Sequence, residues 1–214
     1  PIIIWTDLTF DLYEKTYFNN YKSFHKSSLK SGNYLEKLSL QKARIILYTT
    51  QYAKVSAEKK YNINKKKIKV LPFGSDINPI TKKQFLSIFK KSKKEKKITK
   101  FISVGVDWER KNMGKSIEVI NQLNKKGYDS KLVVVGAKPP EDFIKPQFVE
   151  IIPFLSKTNN NELNKLKKIY FNSDFFILLS KAEAFGLVLQ EANSYALPVI
   201  LNNVGGMKFV SNRN

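Results

Sequence analysis

Glu183-Ala-Phe-Gly-Leu-Val-Leu-Gln-Glu191 sets two carboxylates eight positions apart, and the residues around it decide the fold. Before it, Asp174-Phe-Phe-Ile-Leu-Leu-Ser180 is a continuous apolar run of strand length. After Ser180 the apolar residues Leu187, Leu189 and Ala192 change to helical spacing. The block therefore reads as strand, loop and helix, with Glu183 in the loop and Glu191 on the helix. A helix that starts near Phe185 or Gly186 leaves its first backbone N–H groups without intrahelical partners, aimed beyond the strand end. Anions such as a diphosphate bind there. At ~1.5 Å rise per residue Glu191 then lies about 7.5 Å along the helix, roughly the step from a diphosphate to its ribose. A carboxylate at that place accepts hydrogen bonds from ribose hydroxyls.

A solvated helix with two surface glutamates would show the same pair, because Glu is a good helix former. The context favours a site: an apolar strand, small residues at the helix start, then Tyr195-Ala-Leu-Pro-Val-Ile-Leu201 and Gly205-Gly206. Working upstream, Lys100-Phe-Ile-Ser-Val-Gly105 reads as a strand, followed by a helix from Met113 to Lys126 with Ile117, Ile120 and Leu123 inward. Gly127 is its C-terminal stop. Strands at 131–135 and 149–152 and a helix over 161–171 lead to the block. This order predicts a doubly wound sheet whose ligands bind at the carboxyl ends of the strands, which Gly105, Gly136 and Ser180 mark.

The N-terminal part alternates in the same way. Pro1 to Trp5 reads as a buried strand, Tyr34 to Ala43 as a helix and Arg44 to Tyr48 as a strand. Thr49-Thr50 caps a helix running to Tyr61, and Lys67 to Leu71 is a strand closed by Pro72-Phe-Gly74. Thr81 to Phe89 carries Phe85, Ile88 and Phe89 on one face and runs into Lys90-Lys-Ser-Lys-Lys-Glu-Lys-Lys97. A short packed helix followed by a solvated lysine linker is favoured over a membrane-surface helix. The expected organisation is residues 1–74 as part of one α/β domain, 75–100 as a linker with a short basic helix and 101–214 as a second, nucleotide-binding domain.

The 214 residues are 42% hydrophobic and 13% aromatic, enough for a core. The chain contains no cysteine, which excludes disulfides and thiolate metal sites, and its single histidine, His25, excludes a multi-histidine cluster. The formal charge of +20 invites a nucleic-acid reading. Yet only Arg44, Arg110 and Arg213 are arginines, and base and phosphate readout favours the planar Arg fork. A surface rich in lysine also suits sugar nucleotides and peripheral contact with an anionic membrane. No apolar stretch approaches the ~20 residues that span a bilayer, and a cytoplasmic location is expected. The chain begins without Met and ends soon after a Gly-Gly turn, so a fragment is expected. No P-loop or Gly-x-Gly-x-x-Gly fingerprint is present.

The ordered motifs resemble glycosyltransferase family 4, retaining enzymes of GT-B fold. They are Val70-Leu-Pro-Phe-Gly74, Phe101-Ile-Ser-Val-Gly-Val-Asp-Trp-Glu-Arg-Lys111, Leu132-Val-Val-Val-Gly136, the Glu183 to Glu191 block, Leu197-Pro-Val-Ile200 and Gly205-Gly206. The resemblance runs from about Glu36 onward and implies an α/β fold of two Rossmann-like doubly wound parallel-sheet domains, both incomplete in this chain. It also implies transfer of a sugar from a nucleoside diphosphate to a glycan, lipid or other hydroxyl acceptor. Retention follows from attack on the face that the diphosphate leaves, whose oxygen takes the acceptor proton.

By that resemblance Lys111 and Arg110, in the loop after Gly105, hold the diphosphate with the backbone of Phe185, Gly186 and Leu187. Glu191 binds the ribose, Glu183 contacts the transferred sugar, and Asp7 orients the acceptor hydroxyl. The chain departs from the family at Val106, where an arginine is common. It also lacks the histidine common near Thr6-Asp7, and Met207-Lys208-Phe209 replaces the usual continuation of the glycine pair. With no Asp-x-Asp pair, a reaction without metal or other cofactor is expected. Nucleotide-sugar epimerisation, glycan phosphorolysis and a basic nucleic-acid-binding α/β module are the alternative readings.

Overall fold

Runs of aliphatic and β-branched residues form two sheets in which every described pair of strands is parallel. The computed structural model describes residues 1–18, 24–92 and 98–207, and these fall into two units. Unit 1 comprises Pro1–Phe73, Ala182–Gly186 and the described part of Asn203–Asn214, while unit 2 comprises Gly74–Lys181 and Leu187–Asn202. Residues 93–97 of the lysine run and the Lys208-Phe209 continuation lie outside the described residues.

In unit 1, β1 (Ile3–Thr6), β2 (Ile45–Tyr48) and β3 (Ile68–Val70) lie in the order β1-β2-β3. Helices α1 (Phe10–Tyr17), α2 (Lys26–Lys42) and α3 (Gln51–Tyr61) connect them. The start of α3 is fixed locally: the Thr50 hydroxyl accepts the Ala53 N–H at 3.2 Å, as its sequence predicts. Leu12, Leu40, Ile46, Tyr48, Ala53 and Ile68 bury the seam between sheet and helices.

Two expectations need correction here. The sequence makes the run from Pro1 a buried strand, whereas in this chain β1 lies at the edge of its sheet with Ile3 61% and Trp5 50% exposed. An unbroken apolar run does not say whether both faces are covered. The exposed Trp5 ring rests on Phe73, with centroids 5.1 Å apart, and its indole N–H donates to the Leu71 carbonyl at 2.9 Å. Helix α1 adds to the expected elements, and α2 begins at Lys26, well before the expected Tyr34. The signal for α1 was Thr9, which caps it by accepting the Leu12 N–H.

Unit 2 carries α4 (Lys82–Ser92), β4 (Thr99–Val104), α5 (Met113–Lys125), β5 (Ser130–Val135) and β6 (Val149–Ile152). It continues through α6 (Asn160–Phe171), β7 (Phe175–Leu178), α7 (Leu187–Ser194) and β8 (Val199–Leu201). The strand order is β6-β5-β4-β7-β8. The chain winds outward from β4 to one edge, then returns to β7 on the other side, so a topological switch point lies between β4 and β7. In such sheets ligands bind outside the carboxyl ends of the strands at that point.

Phe101, Met113, Ile117, Ile120, Leu132 and Ile177 form the core. Helix α5 ends as read: Gly127 takes φ +88°, and the Tyr128 N–H returns to the Leu123 carbonyl at 3.1 Å. The segment ahead of α4 packs with this unit, since Ile77 is buried and the Ile80 N–H donates to the Ser194 carbonyl. Helix α4 leaves Phe85, Leu86 and Phe89 about half exposed. Among the described residues no helix is long and apolar enough to cross a membrane.

Candidate functional site

At the switch point the loop after β4 is a tight turn. The Asp107 carboxylate accepts the Arg110 N–H at 2.9 Å, and the Lys111 N–H donates to the Asp107 carbonyl at 2.9 Å. Arg110 Nε also lies 3.4 Å from Asp107. Trp108 anchors the turn from below, packed edge-on against Phe143 with centroids 5.0 Å apart. This loop is tied to the one leaving β7. The Lys181 N–H donates to the Arg110 carbonyl at 2.8 Å, and Asn112 Nδ2 donates to the Leu179 carbonyl at 3.1 Å.

Gly105 has a physical reason to be glycine. The Lys111 side chain crosses it so closely that a Cβ there would sit 2.7 Å from Lys111 Cγ and 3.1 Å from Cε. Lys111 is thereby laid against the end of β4 and is 7% exposed, an unusual burial for a lysine. Gly136 repeats the device, since a Cβ on it would meet the Gly105 carbonyl oxygen at 2.9 Å. Val106, standing where the family often has arginine, is exposed.

Glu191 sits on α7 one turn from the start of that helix and is completely buried. The Tyr170 hydroxyl of α6, also completely buried, donates to Glu191 Oε2 at 2.9 Å. Lys157, from the loop between β6 and α6, donates to Glu191 Oε1, and its ammonium also lies 3.0 Å from Asp76. Burial works against the Lys157 ammonium, but the hydrogen bonds and charges of Glu191 and Asp76 outweigh it and raise its pKa. Burial, then the Glu191 charge, holds the Tyr170 phenol well above its ordinary value. Tyr170 is therefore a donor across the ordinary pH range. Sequence reasoning found Glu191 but missed both partners. The only hint for Lys157 was that the loop after β6 also leaves the carboxyl end of a strand.

The other half of the block belongs to unit 1. The start of α7 is corrected from Phe185 or Gly186 to Leu187, because Gly186 takes φ +74° and turns the chain before the helix begins. The backbone groups of Phe185 and Gly186 are therefore loop rather than helix. Glu183 is 6% exposed in this loop, and the Ala184 N–H donates to the Tyr17 hydroxyl at 3.2 Å. Phe185 is buried edge-on against Phe73, with centroids 5.5 Å apart.

Gly205-Gly206 does more than turn the chain. The Gly206 N–H donates to the Glu183 carbonyl at 3.2 Å. A Cβ on Gly205 would collide with the Glu183 carbonyl oxygen, and one on Gly206 with that of Ala184. Asp7 directly follows β1, and its pKa is raised, first by burial and further by the Glu183 carboxylate. The structure thus brings Asp7 and Glu183 within electrostatic reach inside unit 1. In unit 2 it gathers Gly105, Arg110 and Lys111 at the end of β4, and it places Leu187 and Glu191 on α7.

A family model described as "Glycosyl transferases group 1" matches residues 84–213. The chain belongs to this family. Among curated relatives, this chain is 27% identical over 179 residues to the O-antigen chain mannosyltransferase RfbU of Salmonella typhimurium, covering 80% of this chain and 45% of that protein. It is also 27% identical over 93 residues to the sulfoquinovosyl transferase SQD2 of Arabidopsis thaliana, covering 44% of this chain and 18% of that protein. The chain thus spans less than half the length of these relatives.

Among solved structures, WaaG, a glycosyltransferase involved in lipopolysaccharide biosynthesis, matches with a TM-score of 0.62 at 22% identity over 94% of this chain and 54% of that one. Anabaena Alr3699/HepE, solved with UDP and glucose, matches with a TM-score of 0.61 at 14% identity over 96% of this chain and 54% of that one. Two parallel-sheet α/β units with this likeness give the chain the GT-B fold class expected from its motifs.

Proposed function

We propose that this chain is the part of a retaining glycosyltransferase that binds a nucleoside diphosphate sugar, and that unit 2 holds the nucleotide. The observation that carries the reading is the buried Glu191 on α7, in the same unit as the Lys111 turn at the switch point. Lys111 and Arg110 neutralise the diphosphate, and Glu191 accepts from the ribose hydroxyls. Fixed cations in a poorly hydrated site stabilise the charge that grows on a leaving diphosphate. A metal is not needed for that role.

Glu183 acts on the transferred sugar and Asp7 on the acceptor hydroxyl. The anomeric carbon–oxygen bond to the diphosphate breaks, the acceptor oxygen bonds on the same face, and its proton passes to the departing diphosphate. Proposed acceptors are glycans, lipids or other hydroxyl compounds, and the chain works in the cytoplasm, peripherally at an anionic membrane through its lysine-rich surface. The test is thermal-shift titration with UDP, GDP, ADP and a single-stranded oligonucleotide at two salt concentrations. One nucleoside diphosphate at ~100 times its dissociation constant should stabilise the chain by about 2.7 kcal/mol. Glu191→Ala should reduce that shift. A response to the oligonucleotide alone, lost as salt rises, would replace this reading with the nucleic-acid module.

A further inference from the structure

The ribose assignment raises a difficulty that the geometry resolves. Glu191 exposes no surface of its own, and Tyr170 already occupies Oε2 from the interior. On the Oε1 side stands Lys157, whose side chain keeps 33% of its surface exposed. A ligand that reaches Oε1 from the solvent side therefore meets this ammonium. Its alternative station is already in contact: Asp76, about half exposed, lies 3.0 Å away. An ammonium has three donors and needs only a small rotation of its stem to leave one carboxylate and keep the other.

We propose that Lys157 is an internal placeholder for the donor's ribose: it satisfies the buried Glu191 carboxylate while the site is empty, and ribose hydroxyls displace it onto Asp76. The device answers a physical need. A buried carboxylate stripped of its partner is strongly destabilising, so a site built on Glu191 requires a cation or a set of hydroxyl donors on it at all times. Lys157 fills that need without sealing the site, because its own head stays near solvent and has a second carboxylate to hold. The proposal rests on Glu191 being the ribose acceptor, and it assigns a positioning role to a residue that carries no part of the chemistry.

The placeholder sets how strongly the chain distinguishes a ribose from a sugar without hydroxyls. In the unaltered chain a 2′,3′-dideoxy nucleotide leaves Lys157 on Glu191 and loses little. A ribonucleotide gains the hydroxyl contacts but must break the ion pair. Lys157→Met removes this competitor, so the ratio of dideoxy to ribo dissociation constants should rise by about tenfold. Asp76→Asn removes the receiving station and holds Lys157 on Glu191 more firmly, so the same ratio should fall.

The experiment is calorimetric titration of the chain and both variants with UDP, GDP and ADP, then with the dideoxy form of whichever binds, circular dichroism verifying that each variant is folded. If Lys157→Met does not fold, the Asp76→Asn ratio alone decides. An unchanged ratio in the folded variants, with ribonucleotide binding intact, overturns the placeholder and leaves the donor reading standing. Equal weakening of both ligands by Lys157→Met also overturns it, because Lys157 would then touch the nucleotide directly. Binding of none of the three nucleotides refutes the donor reading and the placeholder together.

Discussion

Tyr170→Phe removes one oxygen from the interior and nothing else. The Tyr170 ring is stacked on Tyr195 and Phe176, with centroids 5.5 and 6.3 Å away, and Phe keeps those contacts. What disappears is the hydroxyl that donates to Glu191 Oε2 at 2.9 Å, between two completely buried side chains. A hydrogen bond to a charged group contributes about 1.5–3 kcal/mol, and the variant no longer has to desolvate a phenol, so a loss near 2 kcal/mol is expected. For a chain of this size that corresponds to about 4–8 °C in melting temperature. Urea unfolding followed by far-ultraviolet circular dichroism measures it. The decisive control is the same substitution in a Glu191→Gln background, where the bond is between neutral groups and the loss should shrink to about 1 kcal/mol. Equal losses in both backgrounds, or a loss below about 0.5 kcal/mol in the unaltered chain, would refute the coupling.

Gly206→Ala forces a Cβ into the Ala184 carbonyl and within 3.1 Å of Thr50 Cγ2. Backbone does not rotate away, so the variant should lose about 1–3 kcal/mol in urea unfolding. Gly114→Ala, on α5 with nothing within 4 Å, should instead gain about 0.5–1 kcal/mol. The raised pKa of Asp7 means that the folded chain holds this proton more tightly than the unfolded chain. The stability it brings is present below the ordinary value of 3.8 and is lost as pH rises through the raised value. Asp7→Asn should therefore be the more stable chain at neutral pH, with the difference disappearing in acid; melting curves from pH 3 to 7 check this.

Much of unit 2 was legible because its signals are local. Phe175 to Leu179 is an apolar run bounded by Asp174 and Ser180, and Gly127 announces the end of α5 with the only residue type that takes its φ cheaply. The Thr50 cap is local too. What stayed hidden depends on residues that meet only after folding. Lys157 and Tyr170 lie 34 and 21 positions from Glu191, and neither position has a distinctive spacing. The exposure of β1 was illegible for a related reason: burial of a strand is a property of its neighbours. The carboxylates of the block were found by spacing, but their assignment to different units was not, because Gly186 turns the chain between them.

The chain has two tryptophans, and the fold deals one to each unit. Trp5 is half exposed with its indole N–H on the Leu71 carbonyl, whereas Trp108 is 9% exposed beneath the Lys111 turn. Their emission should therefore differ in colour, the buried ring toward the blue. Replacing Trp5 by Phe leaves a single optical reporter beside the turn that carries Lys111, and replacing Trp108 leaves one on the β1 edge. The two units then become separately visible in one cuvette, and a nucleotide that acts on unit 2 would betray itself in the first signal before the second.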